Sequence, residues 1–365
     1  MDTYEFLKAN IPIYVSQHPE WIVSPNYIDL IYTEVNQSNL CNPNIKEMIQ
    51  LVLLELNLDR SRPTEITTHI ISREHIQQLR DIPQPEQQTV DWFLFRHEHI
   101  TASNAWKAFG TQSSMNQLIY EKCKPINPYI KSSPSFNFSE TPLTWGHQYE
   151  PLTRMIYEET NQTKIEDFGC IPHPVHNFLA ASPDGIVVGE TNFGRMIEIK
   201  NVVSREINGI PKLDYYIQCL MQMEVCDLPE CDFVETKFVE YGSYNEFIKD
   251  STDNLFLSLD NKIKGAIMVF ANIDKYNYVY MPFSIKTEFE LNQWLDSLIN
   301  DSTWIKTVYW KLDVYSCVLI KRNSEWFNYA LPKLQEVWQT ICNERDGDYS
   351  LRAPKKRHYK IDLKI

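Results

Sequence analysis

Apolar and polar positions alternate in ways that change along the chain. In residues 44–58 (NIKEMIQLVLLELNL), Met48, Ile49, Leu51, Val52, Leu54 and Leu56 cover much of a helical surface, as a buried or partner-facing helix would. A second helix is expected over 65–79 (EITTHIISREHIQQL), with His69 and His75 as solvated or core histidines, before Pro83 and Pro85 break the pattern. Trp92, Phe93 and Phe95 are expected to pack, with Arg96 at the surface, and ITAS sets Ser103 near the start of another helix. Residues 122–142 are rich in Pro, Ser and Asn and read as a long loop.

A helix is predicted over 145–160, with Tyr149, Leu152, Met155 and Ile156 facing the core and Pro151 either starting or kinking it. Residues 185–188 and 196–200 are β-prone and flank a turn at 190–194, which predicts an antiparallel hairpin. Residues 212–225 (KLDYYIQCLMQMEV) return to helical spacing: Leu213, Ile217, Leu220 and Met221 lie on one side, Tyr215, Gln218 and Gln222 on another. Strands follow at 233–241, 265–273 and 277–283. Helices follow at 287–300 and 325–344, with the apolar run VYWKLDVYSCVLI between them.

The chemistry concentrates in the hairpin. Counting outward from Thr191 sets Asp184 opposite Glu198, and alternation turns Glu198 and Lys200 to one face. Facing carboxylates repel unless neutralised, and a hard divalent cation is a common neutraliser of clustered oxygens. The plainer alternative is a surface hairpin with an incidental Lys200 salt bridge. Glu150, at the edge of its apolar stripe, offers a third carboxylate or a first-turn acid on a helix dipole. Arg96 and Ser103 suit an anion, or a surface ion pair and a helix cap. Cys170, His173 and His176 have spacing open to zinc, but no fourth ligand is apparent and two prolines explain an extended segment. Cys219, Cys226 and Cys231 lack the tight pair of an iron–sulfur site and read as buried thiols.

Composition adds limits. The 365 residues are 43% hydrophobic, which suffices for a large core, and the net charge of −13 argues against coating nucleic acid by bulk charge while allowing a local basic channel. Eight cysteines without a regular framework suggest reduced thiols. No apolar run approaches a membrane span and the start lacks a signal-peptide pattern, so an intracellular location, cytoplasm or nucleus, without membrane attachment is expected. The basic stretch PKKRHYK reads as an import signal, a DNA-touching arm or a solvated terminus.

The ordered pieces QQTVDWFLFR, ITAS, GHQYEP, ASPDG, EIK and YYIQ, from about Gln88 to Tyr241, resemble the lambda-exonuclease-type (YqaJ-like) viral recombinase nucleases of the PD-(D/E)xK superfamily. The resemblance implies an α/β (α+β mixed) fold, a central mixed sheet flanked by helices with a restriction-endonuclease-like core. It also implies 5′-to-3′ trimming of linear double-stranded DNA from its ends, leaving 5′-phosphate products and a 3′ single strand for recombination or repair, with a single-strand annealing protein as a partner. Asp184, Glu198 and the backbone carbonyl of Ile199 would hold Mg2+, with Mn2+ as a substitute and Glu150 as a further ligand or water-positioning acid. Lys200 would orient or activate the attacking water. Arg96, Ser103 and Ser182 would receive the terminal 5′-phosphate, and Tyr215 and Gln218 would steady the site or the scissile strand. Gln222 joins them on helical spacing alone. The expected organisation is an accessory helical region over 1–87, a nuclease domain over 88–345 and a basic tail over 346–365. The large N-terminal addition leaves open a monomer or a ring-shaped homotrimer. A structure-specific endonuclease and a non-catalytic DNA-binding or assembly protein are the alternative functions.

Overall fold

The computed structural model describes residues 3–18, 21, 27–37, 45–56, 71–126, 142–271, 276–299 and 303–354. His69, much of the expected loop before Pro142 and the tail from Lys355 lie outside the described residues.

Three helices, α1 (Thr3–Gln17), α2 (Tyr27–Asn36) and α3 (Ile45–Glu55), form their own small core. Leu7, Ile11 and Val15 recur every fourth residue, as do Tyr27, Ile31 and Val35, so each helix buries one stripe. In α3 the buried positions are Ile45, Ile49, Val52 and Leu53. The next helix, α4 (Arg73–Asp81), starts later than its periodicity suggests because the Ser72 hydroxyl accepts the His75 amide and caps it. Ile76 and Leu79 of α4 join the main core, and the His75 ring lies 2.9 Å from the Cys226 carbonyl.

The main body continues with α5 (Val90–His97), β1 (Ile100–Thr101), α6 (Ala102–Ala105), α7 (Gln112–Cys123) and α8 (Pro142–Asn161). Thr89 and Thr111 cap α5 and α7. Lys122 and Cys123 therefore belong to α7 and not to a loop. Four short strands follow, β2 (Ile165–Glu166), β3 (Ile171–Pro172), β4 (Leu179–Ala181) and β5 (Gly185–Val187), and then β6 (Met196–Asn201), α9 (Leu213–Cys226) and β7 (Glu230–Glu240). The chain ends with α10 (Tyr244–Lys249), β8 (Lys264–Ala271), β9 (Tyr276–Tyr280), α11 (Glu288–Ile299), β10 (Trp304–Lys321) and α12 (Ser324–Arg345).

The large sheet runs β2-β5-β6-β7-β10-β8-β9, and a small one runs β1-β4-β3. Only β6 and β7 pair in parallel within the large sheet. A parallel pair needs a crossover, and α9 is that crossover, laid over the strands it joins. The expected mixed sheet with flanking helices is what the chain forms. The apolar run VYWKLDVYSCVLI is part of β10, a strand of 18 residues that pairs with β7 along one part and β8 along another, with a register shift between Leu312 and Val314. Pro151 neither starts nor ends its helix, which begins at Pro142. An interior proline costs about 3 kcal/mol, and burial of Tyr149, Leu152, Ile156 and Tyr157 holds the helix through it. Met155 is only half-buried. Among the described residues no helix is long and apolar enough to cross a membrane.

The segment ahead of α5 is stitched to the one ahead of β3: Gln84 Oε1 accepts the Gly169 amide at 2.6 Å, and the Pro85 carbonyl accepts the Cys170 amide at 3.2 Å. A Cβ on Gly169 would meet the Pro85 carbonyl oxygen at 2.2 Å, whereas one on Gly146, inside α8, would meet nothing within 4 Å. Gly169→Ala should destabilise the protein by about 1–3 kcal/mol in urea unfolding. Gly146→Ala should instead stabilise it by roughly 0.5–1 kcal/mol.

Candidate active site

The site is built where β5 stops. The β5–β6 ladder pairs Gly185 with Ile197 and Ile186 with Met196, the register expected from the sequence. Continued by two residues, it would set Pro183 opposite Ile199. The Pro183 carbonyl is taken instead by the Gln87 amide at 3.1 Å, and the Ile199 amide donates to Asp184 Oδ2 at 2.7 Å. A side-chain carboxylate thus replaces a backbone partner. Since a strand residue's N–H and C=O point to the same edge, the Ile199 carbonyl is directed to the Asp184 side.

Glu198, one residue back, faces the other way across the strand and is fully buried. Its Oε1 accepts from Lys200 Nζ and, at 2.8 Å, from Gln218 Nε2; its Oε2 accepts from Gln222 Nε2 at 2.7 Å. Gln218 and Gln222 are buried, so the helical stripe they share with Tyr215 holds a carboxylate and is not a solvated face. The Gln222 amide also reaches the Ser182 carbonyl at 3.4 Å. The Lys200 ammonium lies 5.1 Å from the centre of the Tyr215 ring, and Arg205 sits 5.8 Å from the same ring.

The electrostatics of this group are those of crowded acids. Burial holds the Asp184 carboxyl well above the usual range, and the charges of Glu198 and Glu150 add to that. Glu150, half-buried on α8, is raised by burial first and by Glu198 second. Burial disfavours the Lys200 charge, but Glu198 and Asp184 outweigh it, so the amine is firmly protonated.

A divalent cation fits this group by the chemistry of its donors. Asp184 and Glu198 are hard-oxygen ligands whose mutual repulsion a cation would relieve, and Mg2+ is commonly held by one or two carboxylates with water completing its shell. Among the described residues no three His, Cys, Asp or Glu side chains converge as a metal-binding group. The fit is therefore that of two carboxylates and a backbone carbonyl, with Glu150 nearby. Cys170, His173 and His176 likewise form no metal group; His173 Nδ1 accepts the Val175 and His176 amides at 3.1 and 3.2 Å, which shapes the turn. Cys219, Cys226 and Cys231 are buried free thiols.

A second cluster adjoins Ser182. Trp92 and Phe95 are half-buried as expected, but Arg96 turns inward from α5 and Phe93 is left 52% exposed. The guanidinium donates to Ser103 Oγ at 2.8 Å and Ser182 Oγ at 3.4 Å and lies 4.3 Å from the Trp92 ring centre. The Trp92 indole N–H also donates to Ser182 Oγ, at 3.1 Å. Ser103 thus binds Arg96 and does not cap the short helix, a role taken by Thr101. The structure therefore brings Glu150, Asp184, Glu198, Ile199, Lys200, Tyr215, Gln218 and Gln222 into one group and Arg96, Ser103 and Ser182 into its neighbour. Gln87 was not singled out from the sequence, although it is the first residue of the quoted QQTVDWFLFR stretch. An open cleft of about 610 Å3 leads to Asp184 and Glu150, with Gln84, Gln87 and Arg80 among its walls.

Residues 91–229 match the YqaJ-like viral recombinase domain family. It is 30% identical over 321 residues to an uncharacterized protein of Acanthamoeba polyphaga mimivirus, an alignment covering 76% of this chain and 57% of that protein. The chain thus spans little more than half the length of that relative. Among solved structures it is similar to the alkaline exonuclease LHK-Exo of Laribacter hongkongensis, also solved with dAMP, at 19% identity over 71% of this chain and 95% of that one, with a TM-score of 0.40. A phage-related exonuclease of Haemophilus somnus is similar at 13% identity over 67% of this chain and 96% of that one, with a TM-score of 0.34.

Because the folded-state pKa of Asp184 is raised, the native protein binds more protons than the unfolded chain above pH of about 4, and ionisation of this group costs stability as pH rises toward the raised value. Asp184→Asn should therefore melt at a higher temperature than the parent at pH 8 without divalent cations, and the difference should close as the pH is lowered toward 4. Differential scanning calorimetry across that range checks the sign.

Proposed function

We propose that this protein is a divalent-cation-dependent exonuclease that degrades one strand of linear duplex DNA in the 5′-to-3′ direction. The observation that carries the reading is the arrangement around Glu198: a buried carboxylate held by Lys200, Gln218 and Gln222, one strand position from an Asp184 whose own charge is disfavoured. Its occurrence within a YqaJ-like viral recombinase domain supports it. An isolated structural ion pair would need neither the two glutamines nor the neighbouring acids.

In this reading Asp184, Glu198 and the Ile199 carbonyl would hold Mg2+ or Mn2+, which supplies charge neutralisation at phosphorus and a more acidic water. The chain's own groups set the geometry. Gln218 and Gln222 fix both oxygens of Glu198. Asp184 is fixed by the Ile199 amide, and its loop by Gln87. Lys200, firmly protonated, orients the attacking water and offers positive charge to the phosphoryl oxygens, a role for a cation and not for a base. Glu150, shifted upward by burial and Glu198 and left outside the two-carboxylate ligand set, is the acid assigned to accept a proton. Hydrolysis leaves a 5′-phosphate on the next nucleotide. Arg96, Ser103 and Ser182 bind that group, and Ser182, whose carbonyl is held by Gln222, couples the end-binding cluster to the catalytic one.

Lys200→Ala and Asp184→Ala should each slow Mg2+-dependent digestion of linear duplex by at least about a hundredfold, the scale of losing a single charge-stabilising group, with unchanged circular dichroism. Covalently closed circular DNA should survive. Undiminished digestion by Lys200→Ala contradicts the catalytic assignment, and nicking or linearisation of the closed circle contradicts the exonuclease reading.

A further inference from the structure

Arg96 has a cationic neighbour that the reading above does not use. Lys122, on the inner side of α7 beside Leu118 and Ile119, is 5% exposed, and its Nζ donates to the Arg96 backbone carbonyl. Burying an ammonium is unfavourable unless it is paired. Among the described residues neither Lys122 nor Arg96 is in ion-pair contact with a carboxylate: Arg96 contacts two hydroxyls and an indole, and Lys122 a carbonyl. The charged and titratable groups facing Lys122 from its surroundings are Arg96 on α5, His99 between α5 and β1, Glu121 on its own helix, Arg345 on α12 and the Cys170 thiol before β3. Glu121 is already paired with Lys107 at 2.7 Å, and Arg345 with Glu98 at 2.5 Å. Arg96 also faces the more distant Glu198 and Asp184 of the acid cluster, so Lys122 and Arg96 have carboxylates in their field but none in contact. Burial, and then Arg96, push the Lys122 amine down to about 7. Two neighbouring cationic side chains with no carboxylate in contact suit an anion that arrives with the ligand, and one carrying more than a single charge.

We propose that Lys122 is a second cation of the Arg96 site, acting through its field and not by contact, and that it makes the site selective for a terminal phosphate monoester over an internal phosphodiester. The proposal rests on the reading of Arg96, Ser103 and Ser182 as the 5′-phosphate site. A terminal phosphate has a second ionisation near pH 6 and carries close to two negative charges at neutral pH, whereas each internal linkage carries one. The second charge is what a second, non-contacting cation can sense. In the protein interior one additional charge interaction over several ångströms changes binding by roughly tenfold or more. The site thereby distinguishes an end from the continuous backbone by charge as well as by shape.

The test compares duplexes ending in a 5′-phosphate, a 5′-phosphate methyl ester, which is a monoanion of similar shape, and a 5′-hydroxyl, at low substrate concentration. The parent protein should digest the 5′-phosphate end about tenfold faster than the methyl ester, and this preference should fall as the pH is raised from 7 to 9 and Lys122 loses its proton. Lys122→Met should lose the preference at every pH, its rate on 5′-phosphate ends falling to that on the methyl ester. A parent that treats the phosphate and its methyl ester alike overturns the proposal without recourse to any variant. So does a Lys122→Met protein that keeps the full preference, or one that slows equally on all three ends. If the parent also digests 5′-hydroxyl ends as fast as phosphorylated ones, the Arg96 site is not an end-phosphate site and the proposal falls with it, although the hydrolytic centre stands.

Discussion

The Glu198 carboxyl is fully buried, and much of the surrounding architecture follows from that. An unpaired carboxylate in such a position costs several kcal/mol, so its two oxygens require fixed donors. They come from Lys200 on the same strand and from Gln218 and Gln222 on the helix above. Those glutamines are four residues apart, one helical turn, which is the spacing that lets a single helix reach both oxygens of one carboxylate. The helix has to lie over β6, and it does because it is the crossover between the parallel strands β6 and β7. Topology, helix phase and the charge of one side chain are therefore the same requirement seen at three scales.

The second half of the centre comes from an interruption. Pro183 lacks an N–H, and its carbonyl is taken by Gln87, so β5 cannot continue beside β6. The Ile199 amide that would have faced it is left for Asp184. Gln87 belongs to a segment stitched through Gln84 and Pro85 to residues 169 and 170, where only glycine fits against the Pro85 carbonyl. The acid's position thus depends on residues about a hundred positions upstream. Ser182 stands between the two clusters: its hydroxyl meets Arg96 and Trp92, and its carbonyl meets Gln222.

Much of this centre was legible in the sequence because it is local. Two-residue alternation placed Glu198 with Lys200, turn chemistry set Asp184 against Glu198, and helical spacing grouped Gln218 with Gln222. The fold class was legible for a similar reason, since hairpin, helix and strand periods are short-range. What escaped is non-local. The inward turn of Arg96 depends on Ser182, a residue 86 positions away, so a cation on a helix with aromatic neighbours read as a surface group. Lys122 looked like the start of a loop because its burial comes from α12 and the residues around Arg96, not from its own neighbours. Pro151 lies within a helix held by burial on the sheet, where local rules place a start or a kink. In each case tertiary packing overrides the local preference.

The central claim is that the cluster of buried acids is a site for a divalent cation at which DNA is cut. Calorimetric titration of Mn2+ into the protein bound to a 5′-phosphorylated duplex in which the terminal linkage is a non-hydrolysable phosphonate tests it most directly. The account predicts saturable binding that is abolished by Glu198→Gln, which keeps the side chain's shape but removes its charge. Equal Mn2+ binding by the two proteins, or none by the parent, would contradict it.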